Sequence, residues 1–126
     1  MDRILLVDGD PAVRPLLEHI LLDNGYQVVT AESVATATRL FGSQPFDLVL
    51  CDVNLPDGSG LTVADRAIAA GVKALVTGHG VSIELGRLAP YDYLPKPFRV
   101  IELLDRIERC LAAAVEAHRK SSERVN

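Results

Sequence analysis

Two stretches of the chain are unbroken apolar runs: Ile4-Leu5-Leu6-Val7, entered from Arg3, and Leu48-Val49-Leu50-Cys51, entered from Asp47. Runs of that length, closed by polar or turn-forming residues, predict strands buried on both faces. Between and after them the period changes. Val13, Leu16, Leu17, Ile20 and Leu21 recur at i, i+3, i+4, i+7 and i+8, the stripe of an amphipathic helix. Asp10 is placed to cap that helix, Pro11 to be its first residue, and Asn24-Gly25 to stop it. Tyr26 to Thr30 reads as a second strand. Ser33 caps a second helix with Val34, Ala37, Leu40 and Phe41 on one face, broken at Gly42 to Pro45.

The third strand, ending at Asp52, runs into a loop reading Val53-Asn54-Leu55-Pro56-Asp57-Gly58-Ser59-Gly60. An Ala-rich helix from about Ser59 to Ala70 ends at Gly71, and Val72 to Thr77 is a fourth strand stopped by Gly78-His79-Gly80. The poorly patterned stretch Val81 to Leu88 is read as a short helix. Tyr91 to Leu94 makes a fifth strand ending in Pro95-Lys96-Pro97-Phe98. The last helix starts near Arg99 and carries Val100, Leu103, Leu104, Ile107 and Leu111. Strands alternating with helices imply a parallel sheet covered on both faces. Right-handed crossovers reduce the topologies to few, and five βα units fit the order 2-1-3-4-5.

Composition narrows the class. At 126 residues the chain makes one domain, expected over residues 1–118 with a polar tail at 119–126 that either prolongs the last helix or frays. The net charge of −4 argues against direct nucleic-acid binding. No run approaches the ~18 apolar residues of a membrane span, and Met1-Asp2-Arg3 leads into a strand rather than a signal peptide, so a cytoplasmic location is expected. Cys51 and Cys110 read as reduced core residues, and His19, His79 and His118 are too scattered for a zinc site.

The chemistry lies at the strand ends. Asp8 follows the first strand, Asp52 ends the third, Thr77 the fourth, and Lys96 follows the fifth. In the 2-1-3-4-5 order the first and third strands are neighbours at the switch point, where ligands of open α/β sheets bind. Asp8 and Asp52 then share a pocket, with Thr77 and Lys96 on its far rim. Clustered carboxylates favour a bound cation, and oxygen ligands of this kind suit Mg²⁺. An ammonium and a hydroxyl facing such a pair are what phosphoryl transfer to a carboxylate needs.

These residues, with Ile4-Leu5-Leu6-Val7-Asp8, the Leu55 to Gly60 loop and Asp92-Tyr93-Leu94-Pro95-Lys96-Pro97-Phe98, resemble the receiver domains of two-component response regulators from Arg3 to about Leu111. The resemblance implies a flavodoxin-like fold and a phosphoprotein working in a phosphorelay, not an enzyme beyond its own phosphorylation and hydrolysis. Asp52 would accept a phosphoryl group from a histidine kinase or phosphotransfer protein. Asp8, Asp52 and the Asn54 backbone carbonyl would hold Mg²⁺. Lys96 and Thr77 would bind the phosphoryl group, and Thr77 with Tyr93 would form the switch. Asn54 and His79 match positions that tune phosphoryl lifetime. Output would pass to a downstream protein by contact, and the last strand and helices allow a homodimer.

Three departures qualify this. The family usually carries two adjacent acids after the first strand, whereas this chain reads Asp8-Gly9-Asp10. Gly9 stands where a metal carboxylate belongs, and Asp10 compensates only if it leaves its capping role. The segments on either side of Thr77 are short, and Gly78 is smaller than the usual neighbour of the switch hydroxyl. An alternative is therefore a receiver-like interaction module with impaired Mg²⁺-dependent phosphorylation. A remote one is a haloacid-dehalogenase-like phosphatase using Asp8 as nucleophile and Asp10 as acid/base.

Overall fold

The structure is a computed structural model that describes residues 2–79 and 90–124, with side chains of 117–124 left aside. In chain order the elements are β1 (Arg3–Val7), α1 (Val13–Asp23), β2 (Gln27–Ala31), α2 (Val34–Ser43), β3 (Leu48–Asp52), β4 (Asn54–Leu55), β5 (Gly58–Ser59), α3 (Leu61–Ala69), β6 (Lys73–Gly78), β7 (Asp92–Pro95) and α4 (Val100–Arg124). Five strands form one parallel sheet in the order β2-β1-β3-β6-β7, which is the expected 2-1-3-4-5 order once the short β4–β5 hairpin is counted separately.

The period-2 alternation of strand side chains divides the core between the two faces. Leu5, Val7, Val49, Cys51, Ala74 and Val76 face one side, where Ala37 of α2 and Val63, Ala64 and Ala67 of α3 cover them. Ile4, Leu6, Leu48, Leu50 and Leu75 face the other, under Leu17 and Leu21 of α1 and Leu103, Ile107 and Cys110 of α4. Both faces are dry, which explains why these strands read as continuous apolar runs. Cys51 and Cys110 are buried and unbridged, as their apolar settings imply.

The differences from the sequence reading are local. Pro11 is not the first residue of α1; the regular helix starts at Val13. Asp10 Oδ1 accepts hydrogen bonds from the N–H groups of Ala12 (2.8 Å) and Val13 (3.4 Å), holding residues 11–12 in a turn before the helix. Its carbonyl accepts from Arg14 N–H, so Asp10 still caps the α1 entry, from two residues upstream of the position next to Val13. Leu16, counted on the apolar stripe, is 58 % exposed because the sheet contacts only the Leu17–Leu21 side of α1. Backbone of the expected 119–126 tail continues α4 through Arg124. The helix read at Val81 to Leu88 lies outside the described residues.

Candidate functional site

Register places the chemistry. Val7 of β1 pairs with Cys51 of β3, so Asp8 and Asp52 leave adjacent strands side by side. Asp52 pairs with Thr77 of β6, and Thr77 with Leu94 of β7, two residues before Lys96. The chain crosses from β7 into the Lys96 segment under a backbone hydrogen bond from Lys96 N–H to the Gly78 carbonyl (3.0 Å), and the Lys96–Pro97 peptide is cis.

The Lys96 ammonium stands between the two acids. Nζ donates to Asp52 Oδ2 at 2.8 Å and to Asp8 Oδ2 at 3.0 Å. Asp8 is 1 % exposed, and the Asp52 and Lys96 side chains are each 13 % exposed. Burial works against a charged Lys96, but the hydrogen bonds and charges of Asp52 and Asp8 outweigh it and raise its pKa above the ordinary lysine value. Each carboxylate uses its second oxygen locally: Asp8 Oδ1 accepts from Asp10 N–H (2.9 Å) and Asp52 Oδ1 from Asn54 N–H (3.0 Å). Arg14 donates from its guanidinium to the Asp8 carbonyl at 2.9 Å, fixing the main chain at the start of the loop.

Thr77 is buried at the strand end beside Asp52, and its carbonyl accepts from Val53 N–H at 2.8 Å. The Tyr93 hydroxyl donates to the Gly78 carbonyl (3.1 Å), and Arg106 of α4 donates to the Tyr93 carbonyl (2.9 Å). His79 is exposed and lines the same cleft as Asp8, Asp52, Asn54 and Lys96. That cleft, of about 530 Å³, runs on between α1 and the start of α4 past Leu16, Phe98 and Val100.

Asp10 lines the cleft, its Oδ1 engaged by the amides of Ala12 and Val13, and those hydrogen bonds hold its pKa below the usual carboxylate value. Asp8 and Asp52 are the two carboxylates that converge on Lys96 in the cleft, with Asn54 beside them. Among the described residues no group of three His, Cys, Asp or Glu side chains forms a metal cluster. Mg²⁺ is commonly held by one or two carboxylates plus phosphate oxygens, so the set remains compatible with it.

Three residues with positions that matter here were not singled out by sequence. Gly60 is one: a Cβ there would lie 1.9 Å from the Asp52 carbonyl oxygen. Asp57 is another, quoted only as part of the loop after Asp52, yet it accepts from Val34 and Ala35 N–H of α2. Arg14 is the third. None has a local pattern that announces it, since each acts across the fold or on the main chain.

Comparison with known proteins shows the family and the fold. The chain matches the response regulator receiver domain over residues 4–108 and belongs to that family, whose members act in two-component signalling. It is 39 % identical over 120 residues to Protein PetR of Rhodobacter capsulatus, covering 91 % of this chain and 51 % of that protein. It is 38 % identical over 115 residues to the response regulator MprA of Mycolicibacterium vanbaalenii, covering 86 % and 50 %. The chain thus spans about half the length of these relatives. The CheY-like receiver of Methanospirillum hungatei superposes with a TM-score of 0.85 at 28 % identity over 93 % of this chain and 98 % of that one. The response regulator TrrA of Thermotoga maritima, solved with Mg²⁺ and beryllium fluoride, gives 0.76 at 31 % identity over 88 % and 100 %. Family membership sets aside the haloacid-dehalogenase reading. No helix among the described residues is long and apolar enough to cross a membrane.

Proposed function

We propose that this receiver accepts a phosphoryl group on Asp52 from the phosphohistidine of a kinase or phosphotransfer protein and passes the signal to a downstream protein by contact. The supporting observation is the position of Lys96 Nζ, 2.8 Å from Asp52 and 3.0 Å from Asp8 at the end of a cleft open to solvent. An Asp52 carboxylate oxygen forms the new P–O bond as the donor's P–N bond breaks, and the imidazole leaves with the bond electrons and takes up a proton. The product is an acyl phosphate. Lys96 offsets the charge that develops on the phosphoryl oxygens, which is where preorganised cations contribute most. Asp8, Asp52 and the Asn54 carbonyl would hold Mg²⁺, which when bound would supply further charge stabilisation at those oxygens.

The signal leaves through Thr77 and Tyr93. Thr77 sits beside Asp52 in register, and Tyr93 is tied by its hydroxyl to the next carbonyl along that strand. A new charge at Asp52 biases the packing of both, and Arg106 links the Tyr93 main chain to α4. Asn54 and His79 flank the site and tune phosphoryl lifetime. The receiver occupies residues 1–118, works in the cytoplasm beside its kinase, and has in the exposed Ile101 and Val100 of α4 a surface for a second copy.

One observation favours the second reading, an interaction module with impaired phosphorylation. Asp10 Oδ1 is engaged by the amides of Ala12 and Val13, which weighs against its replacing the acid missing at Gly9. The deciding experiment is intact-mass detection of an adduct with acetyl phosphate and Mg²⁺. An adduct lost in Asp52→Ala supports phosphoacceptance; no adduct at millimolar Mg²⁺ selects the interaction module.

A further inference from the structure

We infer that Asp57 is a positioning residue for the acceptor site, acting from the tip of the β4–β5 hairpin through its hold on the start of α2; the inference rests on Asp52 being the acceptor. Both carboxylate oxygens are used. Oδ1 accepts from Val34 N–H at 2.8 Å and Oδ2 from Ala35 N–H at 3.0 Å, across 23 and 22 residues of chain. Ser33 Oγ takes the next amide, Thr36 N–H, at 3.1 Å. The first amides of α2 are therefore satisfied jointly by its own cap and by a residue of the loop that follows Asp52.

That loop carries Asn54, whose N–H orients Asp52 Oδ1 and which lines the cleft. At its base it is fixed by Val53 N–H on the Thr77 carbonyl and Gly60 N–H on the Val53 carbonyl, both 2.8 Å. At its tip the β4–β5 pairing is only two residues long per strand, too short to hold an orientation alone. Asp57 supplies the missing tether. The adjacent Pro56 and the Glu32 carbonyl just before α2 both close on the position a Gly9 side chain would take. The hairpin lines the cleft through Asn54 and Pro56, and Asp57 ties that hairpin to the α2 entry. Releasing the tip leaves Asn54 free to turn, which misdirects the Asp52 carboxylate without touching it.

The test uses the full chain as Asp57→Ala and Asp57→Asn beside wild type. Three quantities are followed: hydrogen exchange at the Asn54 amide, the rate of adduct formation with acetyl phosphate and Mg²⁺, and urea stability. Asp57→Ala should speed Asn54 exchange and slow adduct formation roughly tenfold, short of the ~100-fold that a 1 Å misplacement can cost. Asp57→Asn, which keeps one acceptor oxygen, should recover part of both. A merely structural cap would lower urea stability in Asp57→Ala while leaving the Asn54 amide and the adduct rate of the folded fraction at wild-type values, and that result overturns the inference. If wild type itself forms no adduct, the acceptor reading fails separately. Asn54 exchange then decides the tether alone: faster in Asp57→Ala sustains it, unchanged overturns it.

Discussion

Pro56 closes against Gly9: a Cβ added to Gly9 would lie 3.0 Å from Pro56 Cδ, tighter than an ordinary carbon contact, with the Glu32 carbonyl oxygen 3.5 Å away. The missing acid of the metal set and the packing of the acceptor loop are thus one feature. Gly9→Asp should strengthen Mg²⁺ binding on the order of tenfold by adding a charged ligand. It should also cost about 1 kcal/mol of stability, because a proline ring on a short hairpin must give way. Gly9→Ala separates the two effects, sharing the stability loss without the gain in affinity. Calorimetric Mg²⁺ titration and urea unfolding of the three proteins measure both; equal Mg²⁺ affinity in wild type and Gly9→Asp would show that Gly9 is not the weak point.

Among the described residues Lys96 is the one cation standing between two carboxylates, one of them 1 % exposed. Lys96→Met should lower stability at neutral pH by about 2–3 kcal/mol, the low end of what breaking a buried pair costs, since Asp52 keeps some contact with water. The deficit should shrink as salt screens the repulsion between the two carboxylates. It should also shrink on adding Mg²⁺. Urea melts of wild type and variant at low and high salt, with and without Mg²⁺, test this, and a deficit that neither changes would mean that lost packing rather than charge dominates.

The alkaline limb belongs to the same residue with the sign fixed by its raised pKa. Lys96 binds its proton more tightly folded than unfolded, so its contribution is complete below the ordinary value of 10.5 and is lost as pH rises through the higher folded value. Wild type should therefore lose stability above about pH 10.5 more steeply than Lys96→Met, which has no proton there to lose. Asp10 and Asp57 run the opposite way. Their pKa values are lowered by hydrogen bonds from backbone amides, so they stabilise above about 3.8 and that contribution disappears as pH falls through the lower folded value. Thermal melts of Asp10→Asn and Asp57→Asn should converge with wild type at the acid end.

Much of this was legible because strand order and strand ends are set by short, strong signals. The apolar runs at 4–7 and 48–51 announced β1 and β3, and once those are neighbours Asp8 and Asp52 must meet. Thr77 and Lys96 followed from the same register. What escaped depends on how loops return. The β4–β5 hairpin has two residues per strand, too few to show an alternation, and the reach of Asp57 to α2 spans more than twenty residues with no periodicity. Leu16 fits the helical stripe yet faces the cleft, because a stripe read from sequence is wider than the contact a flat sheet makes with one helix.

Gly60 carries the sharpest steric demand in the site. A Cβ there would sit 1.9 Å from the Asp52 carbonyl oxygen and 2.7 Å from Cys51 Sγ, inside the van der Waals radii of backbone that cannot rotate away. The N–H of Gly60 donates to the Val53 carbonyl at the same time, so the close approach is what closes the loop around the strand end. Its φ of −62° is open to any residue, and the requirement is space rather than backbone freedom. Gly60→Ala should therefore destabilise by about 3 kcal/mol or more, at the upper end for overpacking, and whatever folds should carry a displaced Asp52. Adduct formation with acetyl phosphate should fall further than in Gly58→Ala, although Gly58, with φ of 153°, lies in the region that favours glycine. A side chain at Gly58 would strain the backbone at the hairpin tip, whereas one at Gly60 would meet the Asp52 carbonyl itself. Urea unfolding paired with intact-mass labelling rates orders the two variants, and a Gly60→Ala protein with wild-type stability and labelling would show that the loop can reseat without this contact.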